Sequence, residues 1–304
     1  MKILDYYCHQ GHQYEFFKTG HDFYLTGLDS LPPNWNKDSR PLPPNVTLIG
    51  ERAAHSLKFD VVMVRSPLNP KRYSRFVDKG AIPVAVCQTT NPYHVLPSVK
   101  HIVWNSKEVM EKSKGFYDSK INHTFIIHGF DPKEFKPLGI EKNKRVLSVI
   151  NVFIARKEYV GYDLWNSVNK KIGNICDVVG HGNEDLPQSI GEANNFEELI
   201  KYYNLYPVYF NPTNDSANPR ARAEAMMSGC PIVTTNNYGI SDYIKNGSNG
   251  FLSNNHDEII KYLKILINNE DLQKEMSENA RNTAIQYFNI EDYVKRWNSL
   301  LWNL

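Results

Sequence analysis

Residues 211–252 run from a polar loop into a helix and then a short strand, and they carry residue types that bind anions and hydroxyls. Pro219 suits the first helical position, because its missing N–H has no intrahelical partner there, and Asn218 is then the N-cap. Gly229 is placed to end the helix. A polar loop that enters a helix N-terminus at a strand edge predicts an anion site. Glu224, one turn inside the helix, can accept hydrogen bonds from sugar hydroxyls.

Three segments resemble a known protein family. Residues 224–233 read EAMMSGCPIV, residues 242–252 read DYIKNGSNGFL, and residues 125–137 read FIIHGFDPKEFKP. The first two are similar to the donor-binding signature of the retaining GT-B glycosyltransferases numbered family 4. The third is similar to a segment at the end of that family's first domain. The chain departs from the family at Ser216, where an earlier Glu would fall, and at residues 218–220, where Asn-Pro-Arg replaces Phe-Gly-Leu.

The resemblance implies roles for residues that hold a nucleotide-sugar donor. It assigns Glu224 to the ribose hydroxyls and Lys157 to the diphosphate. Asn151 stands where the family has an Arg six residues before that Lys, and the adjacent Arg156 can supply the lost charge. Cations are needed there because negative charge grows on the leaving group as the glycosidic bond breaks. The competing interpretations are an ordinary helical Glu and a solvated Arg-Lys pair.

Two further features bear on the donor. Arg220 and Arg222 lie in the first turn of the predicted helix, where positive charge opposes the helix dipole unless an anion is present. The alternative is a surface pair between Arg220 and Glu224 at i,i+4 spacing. Gly180 and Gly182 form a Gly-x-Gly loop, which fits a position beside the nucleotide base but is a weak signal alone.

The residues that would contact the transferred sugar depart furthest from the family. Ser216 cannot accept hydrogen bonds as a carboxylate does, and Pro219 has no N–H to donate. Asp215 is the predicted substitute for the missing Glu. Gln88 stands where the family often has a His after a strand of the first domain.

Acceptor-side candidates lie in the first strand-to-helix turn. His9, Gly11 and His12 occupy the place where the family's acceptor usually enters. A lone loop His is more often a solvated residue than a base, so this assignment competes with a purely structural one.

The elements that position these residues alternate between strand and helix, twice over, which indicates an α/β protein. Strands are predicted at residues 2–8, 21–25, 60–64, 82–87, 101–104, 145–150, 175–180, 208–210 and 231–235. Two Rossmann-like doubly wound domains facing across a cleft, the GT-B arrangement, are therefore expected. Their predicted bounds are 1–140 and 141–288, with a polar linker at 138–143 and a C-terminal segment 289–304 that crosses back to the first domain. The apolar side chains of that segment fall on one side of a helix predicted over residues 290–302.

Composition is that of a globular chain, with 304 residues, 41% hydrophobic and 22% charged. No apolar run reaches the ~18 residues of a membrane span. Met1–Asp5 is predicted to be a first strand rather than a signal peptide. The cysteines are far apart and form no CxxC pair, which favours a reduced, cytoplasmic setting. They are Cys8, Cys87, Cys176 and Cys230.

Charge is uneven along the chain. Residues 1–140 hold 18 Lys and Arg against 13 Asp and Glu, a net charge of +5, whereas the remainder holds 17 against 20, a net charge of −3. The basic residues of the first half cluster in one segment, which is either a solvated helix face or a peripheral contact for an anionic surface or acceptor. That segment contains Arg65, Lys71, Arg72, Arg75 and Lys79.

The resemblance implies a glycosyltransferase that moves a sugar from a nucleotide diphosphate, a UDP-sugar by expectation, with retention of configuration. The expected acceptor is a surface glycan or a lipid-linked saccharide, and a modified base in DNA is the alternative. No Asp-x-Asp pair is present, so neither a metal nor another cofactor is expected. From another class, the chain could be a non-catalytic nucleotide-sugar-binding protein. A nucleotide-sugar epimerase lacks counterparts for its acidic catalytic residues.

Overall fold

The computed structural model describes residues 1–29, 31–65 and 69–304, which form two compact units. Unit 1 comprises Met1–Gly129 and Ile290–Leu304, and unit 2 comprises Phe130–Asn289. Each unit is built on one parallel β-sheet with helices in its connections. The predicted α/β class is therefore confirmed for both units.

The described part of unit 1 contains a seven-stranded parallel sheet. Its strands are β1 (Lys2–Tyr6), β2 (Asp22–Thr26), β3 (Val46–Ile49), β4 (Val61–Arg65), β5 (Ile82–Cys87), β6 (His101–Trp104) and β7 (Asn122–Phe125). The connecting helices are α1 (Gln10–Phe17), α2 (Glu51–Ala54), α3 (Pro70–Val77) and α4 (Lys107–Ser113), with a 3₁₀ turn at Lys114–Phe116. The strand order is β3-β2-β1-β4-β5-β6-β7. Strand β4 is buried along its whole length, as expected for a central parallel strand covered on both faces.

The described part of unit 2 repeats the plan with five parallel strands. They are β8 (Val146–Val149), β9 (Cys176–Val179), β10 (Val208–Asn211), β11 (Ile232–Thr234) and β12 (Phe251–Leu252). The helices are α5 (Lys157–Val160), α6 (Tyr162–Lys171), α7 (Phe196–Leu205), α8 (Arg220–Met227), α9 (His256–Asn268) and α10 (Glu270–Tyr287), with a 3₁₀ turn at Ile240–Asp242. The strand order is β12-β11-β10-β8-β9.

The last helix, α11 (Ile290–Trp302), belongs to unit 1 and has the bounds predicted from its apolar spacing. Trp297 packs edge-on against Phe16, with 4.7 Å between ring centroids. The Tyr293 side chain lies so close to Gly129 that a Cβ there would be 2.6 Å from the Tyr293 Cβ. The aromatic side of α11 therefore completes the core of the N-terminal sheet, and only glycine fits where residue 129 passes it.

The segment that enters unit 2 differs from the sequence-based division. Residues 138–143, predicted as a polar linker, dock on α7: the Leu138 N–H donates to Asn204 Oδ1 at 2.7 Å, and Lys142 Nζ donates to Asn204 O at 3.2 Å. In the structure the two units divide between residues 129 and 130 and between 289 and 290, and the predicted divisions lie near residues 140 and 288. These donors meet amide and backbone acceptors of α7, so residues 138–143 are part of unit 2.

The strand order shows where the chain, having added strands on one side of the first strand, begins to add them on the other side. In unit 2 the order turns at β8, because β9 lies on one side of it and β10 on the other. Ligands of such sheets bind outside the carboxyl ends of the strands that flank this switch point. The loops after β8 and β10 are therefore the structural candidates for a ligand site.

Candidate functional site

The loops after β8 and β10 touch each other through α5. Tyr159 O accepts hydrogen bonds from the backbone N–H groups of Asn214 at 3.0 Å and Asp215 at 2.9 Å. Gly161, with a φ of 74°, ends α5 against the Pro212 carbonyl oxygen, where a Cβ would overlap that atom. The residues predicted to bind the diphosphate and the sugar thus lie on two loops that are fastened together.

Lys157 and Arg156 stand at the start of α5, and both side chains are exposed. Arg156 is the N-cap of α5, and Lys157 is its first residue. Two exposed cations beside the switch point can neutralise a bound diphosphate. The predicted diphosphate role stays a prediction, and the geometry is compatible with it.

Asn151 stands where an arginine was expected, and its side-chain oxygen bonds the glycine loop that follows β9. Its Oδ1 accepts from the His181 N–H at 3.2 Å. Gly180 has a φ of 143°, and a Cβ there would lie 2.6 Å from the same Oδ1. Gly182 has a φ of 69°. The two glycines therefore permit a close approach between the β8 and β9 loops.

Asn183 holds the same loop and was not among the predicted site residues. Its side chain is buried, and its Nδ2 donates to Ile150 O at 2.7 Å and Gly180 O at 2.9 Å. Its Oδ1 accepts from the Phe153 N–H at 2.8 Å. An amide that bonds three backbone groups fixes the turn, and in the sequence it appeared only as a polar residue after two glycines.

Glu224 lies on α8 and is 6% exposed. The Tyr203 hydroxyl donates to its Oε2 at 3.0 Å, and Arg220 Nη2 donates to its Oε1 at 3.2 Å. Arg220 itself is buried and lies over the Phe130 ring, 4.5 Å from its centroid. The predicted Arg220–Glu224 contact exists, but it is a buried pair rather than a surface pair.

Helix α8 begins one residue later than predicted. Pro219 is the N-cap, and its ψ of 119° is extended, so Asn218 lies outside the helix.

Arg222 also differs from the expectation that it faces a phosphate. Its side chain is buried, with 1% of its surface exposed. Its guanidinium donates to Asn211, Thr213, Thr235 and Asn237 instead.

Asp215 and Ser216 follow β10 and are both partly exposed. The Tyr238 hydroxyl donates to Asp215 Oδ1 at 2.6 Å. Tyr238 comes from the loop after β11 and has a φ of 45°, which is uncommon for a residue other than glycine. Asp215 is therefore held in one orientation by a neighbouring loop, and Tyr238 was not predicted to take part.

In unit 1 the histidines that were predicted to lie on the acceptor side form a cluster of tilted rings, the histidine cluster, together with His128. His9 is the N-cap of α1, and its Nδ1 accepts from the His12 N–H at 3.4 Å. The His12 ring lies 4.4 Å from that of His9 and 4.3 Å from that of His128, between centroids. Asn105 Nδ2 and His128 Nε2 are 3.2 Å apart. Gly11 lies within the first turn of α1, and Gln88 follows β5 and is partly exposed.

The basic segment of unit 1 is less available than its sequence suggests. Arg65 is buried, and its Nε and Nη2 donate to the two oxygens of Asp5 at 2.8–3.1 Å. Arg72 donates to Glu51 at 2.7 Å. Lys71, Arg75 and Lys79 are exposed, although Lys79 Nζ also bonds His55 O. Arg65 is therefore removed from the predicted anionic contact, because it is committed to a carboxylate inside the fold.

Residues 1–29, 31–65 and 69–304 hold no group of three or more His, Cys, Asp or Glu side chains arranged to bind a metal ion. Across the same ranges, every helix falls short of the length and apolar character that a bilayer crossing requires.

Comparisons with known proteins agree with the architecture. Residues 168–283 match the family model "Glycosyl transferases group 1". The chain is 29% identical to an uncharacterized glycosyltransferase of Haemophilus influenzae over 213 residues, which are 63% of this chain and 59% of that protein. It is 34% identical to the poly(ribitol-phosphate) alpha-N-acetylglucosaminyltransferase of Staphylococcus aureus over 80 residues, 25% of this chain and 16% of that protein. The chain thus spans less than two thirds of the length of these relatives.

Solved structures share the fold along the whole chain. HepE of Anabaena, solved with UDP and glucose, superposes with a TM-score of 0.76 at 14% identity and covers 100% of both chains. Sucrose-phosphate synthase of Thermosynechococcus elongatus gives a TM-score of 0.73 at 12% identity over 99% of this chain and 98% of its own. The family match falls within unit 2, and the solved structures share the fold of the whole chain, so the chain is similar to glycosyl transferases of group 1 in that unit and to these solved structures in its fold.

Proposed function

We propose that this chain transfers a sugar from a UDP-sugar to a hydroxyl of a saccharide, with retention of configuration and without a metal ion. The observation that carries the proposal is the fastening of the β8 loop, with Arg156 and Lys157, to the β10 loop, with Asp215, at the switch point of unit 2. HepE, which shares the fold, was solved with UDP-glucose.

Unit 2 would hold the donor by three kinds of contact. Lys157 and Arg156 face the diphosphate, because their exposed cations stand where the switch point receives an anion. Glu224, whose carboxylate is oriented by Tyr203 and Arg220, accepts from the ribose hydroxyls. Asp215, oriented by Tyr238, accepts from a hydroxyl of the sugar ring.

In the proposed reaction the bond between the sugar C1 and the diphosphate oxygen breaks. The acceptor oxygen bonds C1 on the face that the diphosphate leaves, and the acceptor proton passes to the departing oxygen. Lys157 and Arg156 stabilise the negative charge that develops on the diphosphate. This stabilisation is the main way in which the protein lowers the activation free energy. This route requires no protein nucleophile.

The acceptor we propose is a cell-surface glycan or a lipid-linked saccharide, held by unit 1 beside the histidine cluster. Two relatives are named for such polymers, poly(ribitol-phosphate) and a capsular polysaccharide. A protein acting on these acceptors from a nucleotide-sugar pool would work at the cytoplasmic face of a membrane, with Lys71 and Arg75 as exposed cations. A DNA acceptor has less support, because Arg65 and Arg72 are paired with Asp5 and Glu51.

The test is a binding and turnover experiment with matched variants. Calorimetric titration with UDP, GDP and ADP identifies the base, and hydrolysis of the matching nucleotide sugars reports turnover. Lys157→Ala should weaken diphosphate binding, whereas Lys170→Ala, an exposed lysine in the last turn of α6, should not. The anomeric configuration of the product, read by NMR, decides retention. Binding without turnover on any saccharide acceptor would support the non-catalytic alternative, and no nucleotide binding would overturn the proposal.

A further inference from the structure

The buried guanidinium of Arg222 joins two loops of unit 2. Its Nε donates to Asn211 Oδ1 at 2.9 Å, and its Nη2 donates to Thr213 O at 3.3 Å, so it holds the end of β10 and the loop that follows. Its Nη1 donates to Asn237 Oδ1 at 2.9 Å, and Nη2 also reaches Thr235 Oγ1 at 3.3 Å. These last two acceptors lie after β11. One side chain in the first turn of α8 therefore spans both loops.

All four of these acceptors are neutral oxygens. The Tyr243 hydroxyl is a further neutral partner, and burial lowers the pKa of the Arg222 guanidinium. A buried charge costs several kcal/mol unless its hydrogen bonds and a counter-charge repay it. The partners of Arg222 are neutral amide, hydroxyl and carbonyl oxygens, so they do not offset this cost with a counter-charge. We infer that the site requires the planar arrangement of five N–H groups in the guanidinium, which a lysine cannot reproduce.

The same acceptors also bond one another, so the two loops form a single hydrogen-bonded network. Asn237 accepts from Arg222 and donates through Nδ2 to Thr213 O at 2.7 Å and Asn214 O at 3.0 Å. The Thr235 hydroxyl also bonds Thr213 O. The residues next along each loop are Asp215 and Tyr238, whose side chains meet at 2.6 Å.

We propose that Arg222 is a positioning residue of the donor site, which holds the β10 and β11 loops together so that Asp215 meets Tyr238 and the enzyme distinguishes one donor sugar from another. This inference rests on the proposed function, since it assigns the sugar subsite of the same donor. Arg222 acts through the loops and does not contact the substrate.

A purely structural role for Arg222 makes a different prediction. Loss of stability alone would lower UDP affinity and the activity on every UDP-sugar in parallel. Loss of loop position would change the ratio of kcat/KM between two UDP-sugars and leave UDP affinity close to that of the wild type, because other residues contact the nucleotide. The ratio is therefore the readout that separates the two roles.

The test compares Arg222→Lys with Arg145→Lys in the full chain. Arg145 lies just before β8, at the opposite end of the strand from the β8 loop, and donates from its own fork to Asp177. Arg222→Lys should lower the ratio between the preferred and the second UDP-sugar by about tenfold, because a polar site rejects the wrong hydroxyl pattern only when its groups are placed. Arg145→Lys should lower thermal stability and leave the ratio unchanged.

Hydrogen exchange of the backbone in residues 212–218 and 235–239 gives a readout that needs no ligand. Exchange in both segments should be faster in Arg222→Lys than in Arg145→Lys. If Arg222→Lys does not fold, Thr235→Val removes one bond of the network at nearly constant shape and should act in the same direction. Unchanged exchange and an unchanged ratio would overturn the inference. If the wild type binds no UDP-sugar, the proposed function and the sugar-subsite role fall together, and the exchange data still decide whether Arg222 joins the loops.

Discussion

The Tyr238 hydroxyl donates a 2.6 Å hydrogen bond to Asp215 Oδ1, although the two residues follow different strands, β11 and β10. The bond fixes one oxygen of the Asp215 carboxylate. Tyr238 has a φ of 45°, a conformation that costs a residue other than glycine about 1–3 kcal/mol and is found mostly at functional sites. Ser216 stands where the similar family has a Glu, and the carboxylate of the adjacent Asp215 is held in a defined orientation.

Tyr238→Phe removes the donor and lets the Asp215 side chain rotate. We expect the discrimination between UDP-sugars to fall by about tenfold, since a hydrogen bond to a charged group contributes about 1.5–3 kcal/mol. UDP affinity should not change. Competition between two UDP-sugars measures the effect, with Tyr262→Phe as a control that removes a hydroxyl from α9. A parallel loss in both variants would place the effect in stability rather than in the sugar subsite.

Glu224→Gln keeps the shape of the side chain and removes its charge. We expect UDP affinity to fall by about ten- to hundredfold, because a neutral amide accepts more weakly from ribose hydroxyls and from Arg220. Titration calorimetry with UDP and with uracil measures the loss. Tyr203→Phe is the matched variant, because it removes the Oε2 partner but keeps the carboxylate. Nucleotide affinity that survives in Glu224→Gln would remove Glu224 from the ribose site.

Lys157→Ala removes a cation beside the diphosphate. We expect kcat to fall by about 10²–10³-fold, because charge on the leaving group is stabilised chiefly by fixed positive groups. The fold should be intact, since the side chain is exposed. A glycosyl fluoride donor has no diphosphate, so its leaving group needs no such stabilisation. Steady-state rates with this donor should differ little between the variant and the wild type. Equal losses with both leaving groups would contradict the role.

Much of the fold was predictable from local pattern. Apolar runs such as Val61–Val64 are long enough to be buried strands, and their alternation with helices indicates parallel sheets. The apolar spacing of Ile290–Trp302 gave the last helix with the observed bounds. The short strand Val46–Ile49 was not predicted, because it is an edge strand after a proline-rich loop and its pairing with β2 comes from tertiary contact.

The site was less predictable, because its contacts are non-local. Arg65 ends an apolar strand and was assigned to the surface, and only the pairing of β4 with β1 brings it to Asp5. Arg222 was expected to meet an anion, and its neutral acceptors come from two separate loops. In each case the residue type indicated a charge partner, but the sequence did not show which loop or strand would provide it.

The proposed reaction should not depend on a divalent cation. The sequence has no Asp-x-Asp pair, and in the proposed site Lys157 and Arg156 supply the positive charge for the diphosphate. We expect the rate measured after EDTA treatment and desalting to equal the untreated rate. Restoration by Mg²⁺ or Mn²⁺ of a rate lost on chelation would contradict this prediction and would require carboxylate ligands near the donor.

Gly161→Ala tests whether the fastening of α5 to the β10 loop matters for function. The residue has a φ of 74° and abuts the Pro212 carbonyl oxygen, so an added methyl group must displace the loop that carries Asp215. Gly173→Ala is the matched control, because Gly173 has a φ of 89° but open space where its Cβ would lie. Both variants should lose about 1–2 kcal/mol of unfolding free energy from the left-handed backbone. Only Gly161→Ala should also lose donor affinity and turnover, measured at a temperature where both variants are folded. Equal activity in the two variants would show that donor binding does not depend on the contact between α5 and Pro212.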